Sequence, residues 1–307
     1  MSKVYPLAIL GTGMAGLTAS IYASRYGINH IIIGELTGGN VSEAIWIENY
    51  PGFERIRGVE LIDKIKKQVL KYKPVWENAM IELIKKKARE FIIITKDGKE
   101  IRAKYLIVAL GTKKRTLGVK GEKEFLGKGV HFCPTCDGYF YKDKKVAVIG
   151  GGDSGATASL YLAEIAKKVY LIDIAEKIKA MPFWKEKIKK TKKIELKLGY
   201  KIEEFKGNGW LKEIILSEKI KKNVLRVDGV FIEIGGVPNS EIVKTLGVKV
   251  DKNGYIKVKE NMQTSDPYIF AAGDISSGSN YFNQMITSAS EGAIAAHSIY
   301  QLLQKEK

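Results

Sequence analysis

Apolar positions along the chain change period at recurring points. Leu7-Ala-Ile-Leu10 is a short continuous apolar run, as expected of a strand buried on both faces. Met14 to Tyr26 then spaces small and apolar residues (Ala15, Leu17, Ala19, Ile21, Tyr22) as a helix does, and Ile31-Ile-Ile33 reads as a second buried strand. The same strand–helix–strand theme returns at Val146-Ala-Val-Ile149, Ala156 to Ala166 and Val169-Tyr-Leu-Ile172. Between the two copies the pattern predicts an amphipathic helix near Val59–Leu70, β-rich pieces at Met80–Ile84 and Phe91–Lys96, and a buried strand from Tyr105 to Ala109. Strands are expected at Ile194–Leu198 and Gly229–Ile234, β-like segments at Tyr255–Val258 and Tyr268–Ala272, and a last helix from Tyr281 to Leu303. The fold class is α/β.

Each copy of the theme carries a glycine cluster between its first strand and its helix. Gly11-Thr-Gly-Met-Ala-Gly16 places Gly11, Gly13 and Gly16 where the backbone must approach a pyrophosphate on a helix N-terminus. Glu35 follows Gly16 by 19 residues, the place for an acid that binds a ribose hydroxyl. The second cluster, Gly150-Gly-Gly-Asp-Ser-Gly155, contributes Gly150, Gly152, Asp153, Ser154 and Gly155, with Asp173 at the end of its second strand. Two Rossmann-like units in one chain point to electron traffic between two cofactors. Turn-like residues at Arg115–Val119 and Pro238–Val243 separate them. Asp274, between a buried strand and a helix, is a ligand acceptor or an N-cap; the residues alone leave both open.

Charge adds little to this picture. The 307 residues hold 51 Lys+Arg against 34 Asp+Glu, a net +17, but only seven of the basic residues are Arg. Sequence-specific nucleic-acid binding leans on Arg forks and interleaved aromatics, so no specific nucleic acid is expected. The excess lysine reads as a composition bias that also attracts anionic cofactors or an acidic partner. No run approaches the ~18–20 apolar residues that cross a bilayer, and the first strand runs into the glycine cluster without a charged leader. No membrane association is expected, and the location is read as cytoplasmic.

Cysteine changes the picture most. The chain has two, in Cys133-Pro-Thr-Cys136, which suits a redox pair in a reducing compartment. The spacing equally suits half a zinc site, but zinc wants four ligands and the remaining candidates are His30, His131 and His297. No metal is expected. Asp137 can move a proton as a thiolate forms or leaves, or simply shape the turn before Gly138. His131 could serve too, although a histidine so placed is ordinarily structural.

In order, Gly11–Gly16, Glu48-Asn-Tyr-Pro-Gly-Phe53, Cys133-Pro-Thr-Cys-Asp-Gly138, Gly150–Gly155 and Ala272-Gly-Asp274 through Asn283-Gln-Met285 resemble the low-molecular-weight thioredoxin reductases. The resemblance covers essentially the whole chain. It implies two three-layer ββα dinucleotide-binding domains, the second inserted into the first. An FAD domain would occupy 1–115 and 241–307, and an NAD(P)-like domain carrying the dithiol 116–240. It also implies a homodimer and a thioredoxin-like or glutaredoxin-like partner.

Carried over by residue, the resemblance implies that Gly11, Gly13, Met14, Ala15 and Gly16 cradle the FAD pyrophosphate. Gly39, Asn40, Asn49 and the backbone near Ile81 and Gly111 would line FAD, and Asp274, Gln284 and Met285 would close its site. Cys136 would face the flavin, Cys133 would attack the partner disulfide, and Asp137 would be the acid/base. Asn40 and Asn283 stand where the family usually has Gln and Arg, and Gly155 where it more often has Ala. The large departure follows the second unit's second strand. There the family's NADPH-binding His-Arg-Arg-x-x-x-Arg is replaced by Asp173-Ile-Ala-Glu-Lys-Ile-Lys179, with only Lys179 standing in for an arginine. An acid there repels a 2′-phosphate and accepts from a free ribose diol, so NADH is favoured over NADPH. The expected function is an FAD-dependent disulfide reductase. The rivals are a related flavin-dependent dithiol oxidase or reductase without a pyridine nucleotide, and a redox-sensing binding protein.

Overall fold

Alternation inside one strand builds both faces of the first sheet. In β1 (Val4–Leu10), Leu7 and Ile9 enter one apolar cluster while Ala8 and Leu10 enter another on the opposite face. The computed structural model describes residues 3–35, 37–218 and 221–306. It divides the chain into two compact units, Met1–Lys113 with Val237–Lys307, and Lys114–Gly236.

After β1 come α1 (Met14–Arg25) and β2 (His30–Ile33), which pairs in parallel with β1. Next, α2 (Gly58–Lys71) leads to β3 (Val75–Glu77), parallel to β2. An antiparallel run follows, β4 (Ile81–Lys87), β5 (Glu90–Thr95) and β6 (Glu100–Val108), and β6 closes back onto β1 in parallel. The chain leaves this unit through β7 (Thr112–Lys114).

The inserted unit begins with β8 (Val130–His131) and the single-turn α3 (Pro134–Asp137). It continues through β9 (Lys145–Ile149), α4 (Asp153–Ile165), β10 (Lys168–Asp173), α5 (Pro182–Lys190) and β11 (Ile194–Leu198). An antiparallel meander, β12 (Lys201–Asn208), β13 (Trp210–Glu218) and β14 (Lys221–Arg226), precedes β15 (Gly229–Ile232). The parallel sheet has the order β11-β10-β9-β15-β8. Val146 and Val148 of β9 pack in the α4 and α5 layer, whereas Ala147 and Ile149 pack with Phe205, Leu211 and Ile214 of the meander. That is a three-layer arrangement of helix, parallel sheet and meander.

The chain returns through β16 (Gly236–Pro238), which pairs with β7, and α6 (Glu241–Lys244). Then β17 (Ile269–Ala271) adds to β6 in parallel, and α7 (Met285–Lys305) packs along α1. A Cβ on Gly292 of α7 would lie 2.1 Å from the Ala15 carbonyl oxygen, so these two helices meet backbone to backbone. Tyr26 and Tyr300 stack at 4.5 Å at the other end of the same contact. Among the described residues no helix is long and apolar enough to cross a membrane.

Three segments differ from the sequence expectation. The meander over β12–β14 was not anticipated, because a register shift between Ile202 and Glu204 breaks the alternation of its apolar residues. The expected β-like segment at Tyr255–Val258 contributes only isolated bridges from Ile256 to Val250 and Ser276. The last helix starts at Met285 rather than Tyr281, since Ser279, Asn280 and Tyr281 all hold positive φ (47°, 53° and 60°). Non-glycine residues rarely adopt that region, and no right-handed helix passes through it.

Each unit presses the helix that follows its glycine turn, α1 or α4, onto that turn. A Cβ on Gly16 would sit 2.0 Å from Gly11 O, and one on Gly155 would sit 1.7 Å from Gly150 O. Both obstacles are backbone and cannot swing aside. Gly16→Ala is therefore expected to destabilise the protein by about 1–3 kcal/mol, the cost of overpacking a rigid contact. Thermal unfolding measures this, and an unchanged Tm would refute the close approach.

Candidate active site

The first glycine turn is left open for a ligand. Gly11 holds φ +112°, its N–H donates to Ile33 O at 2.7 Å, and a Cβ on Gly13 would meet nothing closer than Gly38 O at 4.0 Å. Behind it, α1 begins with no side-chain cap and no acidic residue in its first turn. The amides of that turn and the positive end of the helix dipole are thus available to an anion such as a pyrophosphate. Met14, Ala15 and Gly16 are buried there, and Glu35 is exposed beyond the end of β2.

Long-range contacts bring other expected residues of this unit together. Asn40 Nδ2 donates to Thr112 Oγ1 at 3.0 Å, beside Gly111, and Asn49 Nδ2 donates to Gln284 Oε1 at 2.9 Å. A Cβ on Gly273 would lie 3.0 Å from Ala15 Cβ, so the loop carrying Asp274 abuts the glycine turn. Ser288 Oγ donates to Asp274 Oδ1 at 3.1 Å; burial pushes this carboxyl above the usual carboxylate range while Ser288 opposes the shift. Gln284 caps α7 in a capping box with Thr287, immediately before Met285. Gly39 follows Gly38 in the left-handed region, and Ile81 opens β4.

Sequence reasoning passed over Glu291. Its buried carboxylate accepts from Gly273 N at 2.7 Å and Ser276 Oγ at 3.0 Å, and so ties α7 to both sides of Asp274. A glutamate on the buried face of a predicted helix was the available signal.

In the inserted unit Cys133 and Cys136 are joined as a disulfide across α3. Pro134 supplies the first helical position, where its missing N–H costs nothing. Cys133 Sγ accepts from Cys136 N at 3.2 Å and lies 3.2 Å from Thr135 Oγ1. Cys133 is half-buried and Cys136 exposed, and Tyr139 and Phe140 beyond them are 70% and 72% exposed. Asp137 does not stand alone: His131 Nδ1 is 3.1 Å from its Oδ2.

The second glycine turn is as open at Gly152, where a Cβ would meet nothing within 4 Å, but its flanks are bonded to its own chain. Asp173 accepts from Gly151 N through Oδ2 and from Ala175 N at 2.6 Å through Oδ1. Asp153, in the first turn of α4, accepts from Met181 N at 2.7 Å through Oδ1. Lys179 N and Ala180 N both donate to Gly151 O, at 2.8 and 3.0 Å. Where the resemblance would place two guanidiniums stand Ile174, 68% exposed, and Ala175. The Lys179 side chain is exposed.

Two glycine turns and an active-site-like disulfide have a counterpart among known proteins. The pyridine nucleotide-disulphide oxidoreductase family matches residues 5–294. The chain belongs to that family. It is 38% identical to the thioredoxin reductase of Helicobacter pylori, across 97% of this chain and 98% of that one. Its fold matches the thioredoxin reductase of Lactococcus lactis with a TM-score of 0.94 at 30% identity, covering 98% and 99% of the two chains. The thioredoxin reductase of T. acidophilum matches at 0.93 and 36%, covering 99% and 100%. The protein is thus a flavoprotein oxidoreductase of the thioredoxin reductase type.

The residues of the first unit fit a flavin dinucleotide: an uncapped helix start, an open Gly13, and a buried acid at Asp274 that can accept from a ribityl hydroxyl. Losing a hydrogen bond to a charged group costs about 1.5–3 kcal/mol. Asp274→Ala is accordingly expected to weaken FAD binding roughly 10- to 100-fold, read as flavin retained after repeated ultrafiltration. Retention equal to the unsubstituted protein would remove Asp274 from the site.

Proposed function

We propose that this protein is an FAD-dependent disulfide reductase that passes electrons from NADH, through FAD and the Cys133–Cys136 disulfide, to a thioredoxin-like protein. FAD supplies the change from two-electron hydride acceptance to disulfide reduction. The observation that carries the reading is the disulfide in a chain with no other cysteine, in the unit that bears the second glycine turn.

This chain's own residues then have distinct work. Reduction of the disulfide by two electrons and one proton leaves one thiol and one thiolate. Cys133, as thiolate, attacks the partner disulfide; Cys136 attacks Cys133 in the resulting mixed disulfide and expels the reduced partner. Asp137 moves the proton. The exposed rings of Tyr139 and Phe140, following directly on this segment, support docking of a protein rather than a small disulfide. The resemblance supports a homodimer in the cytoplasm.

Asp173 supports NADH as donor. Each of its oxygens accepts one backbone N–H and keeps a lone pair for a ribose hydroxyl, while its charge repels a 2′-phosphate. Without the two guanidinium contacts of about 1.5–3 kcal/mol each, NADPH is expected to reduce the flavin at least about 100-fold less efficiently than NADH. Anaerobic bleaching of the flavin absorbance by each nucleotide measures the ratio. NADPH as the better donor would overturn the reading of Asp173. Bleaching by neither would reassign the donor to a reduced carrier. Mixing with an oxidised thioredoxin tests the sulfurs: Cys136→Ser should trap a covalent complex through Cys133. A trap formed by Cys133→Ser instead would exchange their roles.

A further inference from the structure

The register of the edge strand β8 determines where His131 sits. Val130 and His131 pair with Val230 and Phe231 of β15, which places the imidazole against the Phe231 ring, 5.4 Å away and 27° from parallel. The histidine is only 8% exposed, and both ring nitrogens are engaged. Nδ1 lies 3.1 Å from Asp137 Oδ2, and Nε2 lies 2.6 Å from the Tyr141 hydroxyl. Tyr141 is itself buried, edge-on to Phe231 at 5.5 Å, with its ring packed against Gly229. In a neutral imidazole the partners assign the tautomer: Nδ1–H donates to the Asp137 carboxylate, and the Tyr141 O–H donates to Nε2.

The charges around this chain of contacts are few. Asp137 and Tyr141 touch the ring; Asp228 acts on Tyr141, and Lys144 Nζ stands 5.6 Å from the Tyr141 ring centroid. Burial holds His131 below its ordinary value of 6.5, with Asp137 pulling the other way. Burial, then Asp137 and Asp228, push the Tyr141 phenol up to about 12. At neutral pH the imidazole is therefore uncharged, with its one N–H directed at Asp137; a protonated ring would set a full positive charge beside that carboxylate and make it a poorer proton acceptor.

We infer that His131 is a positioning residue of the dithiol: its Nδ1–H fixes the Asp137 carboxylate that takes the proton Cys136 releases when it attacks the mixed disulfide. The inference rests on the disulfide-reductase reading. In this step the Cys136–Cys133 sulfur bond forms and the bond from Cys133 to the partner sulfur breaks. Two electrons leave the enzyme dithiol for the partner disulfide over the full exchange. The Cys136 proton passes to the Asp137 carboxylate, which His131 Nδ1–H holds in place, and returns to the departing partner thiolate, so none is gained or lost. Tyr141 keeps the imidazole aimed at Asp137.

The test uses the FAD-loaded enzyme reduced beforehand with dithionite. It follows two rates against pH: alkylation of the cysteines by iodoacetamide, and reduction of an oxidised thioredoxin. In the unsubstituted enzyme both should rise with pH through an inflection below 6.5, where His131 becomes neutral. His131→Gln should abolish that inflection and slow both rates about tenfold at pH 7.5, with Asp137 left to act alone. An unchanged profile in this variant overturns the inference. Should it fail to fold, Tyr141→Phe decides: removing the O–H that favours the neutral ring should move the inflection to higher pH, and an unmoved inflection overturns the inference. Absence of thioredoxin reduction in the unsubstituted enzyme would instead refute the reductase reading, while the alkylation profile still decides the role of His131.

Discussion

Everything in this fold that could bind a dinucleotide depends on one steric constraint, the contact of a helix backbone with the glycine turn that precedes it. At Gly16 against Gly11, and at Gly155 against Gly150, a single added carbon would fall within 2.0 Å of a carbonyl oxygen. The contact forces each helix to begin directly beyond the end of a buried parallel strand, its amides facing outward. In the first unit the same logic recurs at Gly292 against Ala15, which brings α7, and with it Asp274, Gln284 and Glu291, to the turn. Small residues here are the condition for placing polar ones.

What separates the two units is how each satisfies the groups around its turn. The first leaves the start of α1 without an acid or a cap, and its acids, Asp274 and Glu291, come from the far end of the chain. The second spends two carboxylates on its own backbone, Asp173 on Gly151 and Ala175 and Asp153 on Met181. The second unit therefore keeps the charges of Asp153 and Asp173 beside a turn that is open at Gly152. The Asp173 charge, rather than the glycines the units share, is what supports the proposed donor without a 2′-phosphate.

Much of this was legible in the sequence, because the signals were local. The continuous apolar runs Leu7–Leu10 and Val146–Ile149 mark strands covered on both faces, and the glycine spacing marks the turns. Where a signal depended on pairing with a distant segment, it was not legible. The Asn49–Gln284 bond joins residues 235 apart, and its two members were singled out only by resemblance. His131 looked structural because its link to Asp137 requires β8 to pair with β15, far along the chain. The meander escaped notice because a bulge puts Ile202 and Phe205 out of step, although both are buried.

The central claim is that the Cys133–Cys136 bond is a redox centre in series with the flavin. Anaerobic dithionite titration of the FAD-loaded protein, followed by flavin absorbance and free-thiol count, tests it most directly. The account predicts uptake of four electrons per chain, with two thiols appearing, and only two electrons in a Cys133→Ser, Cys136→Ser double variant. Equal uptake of two electrons by both proteins, with the disulfide still intact when the flavin is fully reduced, would contradict it.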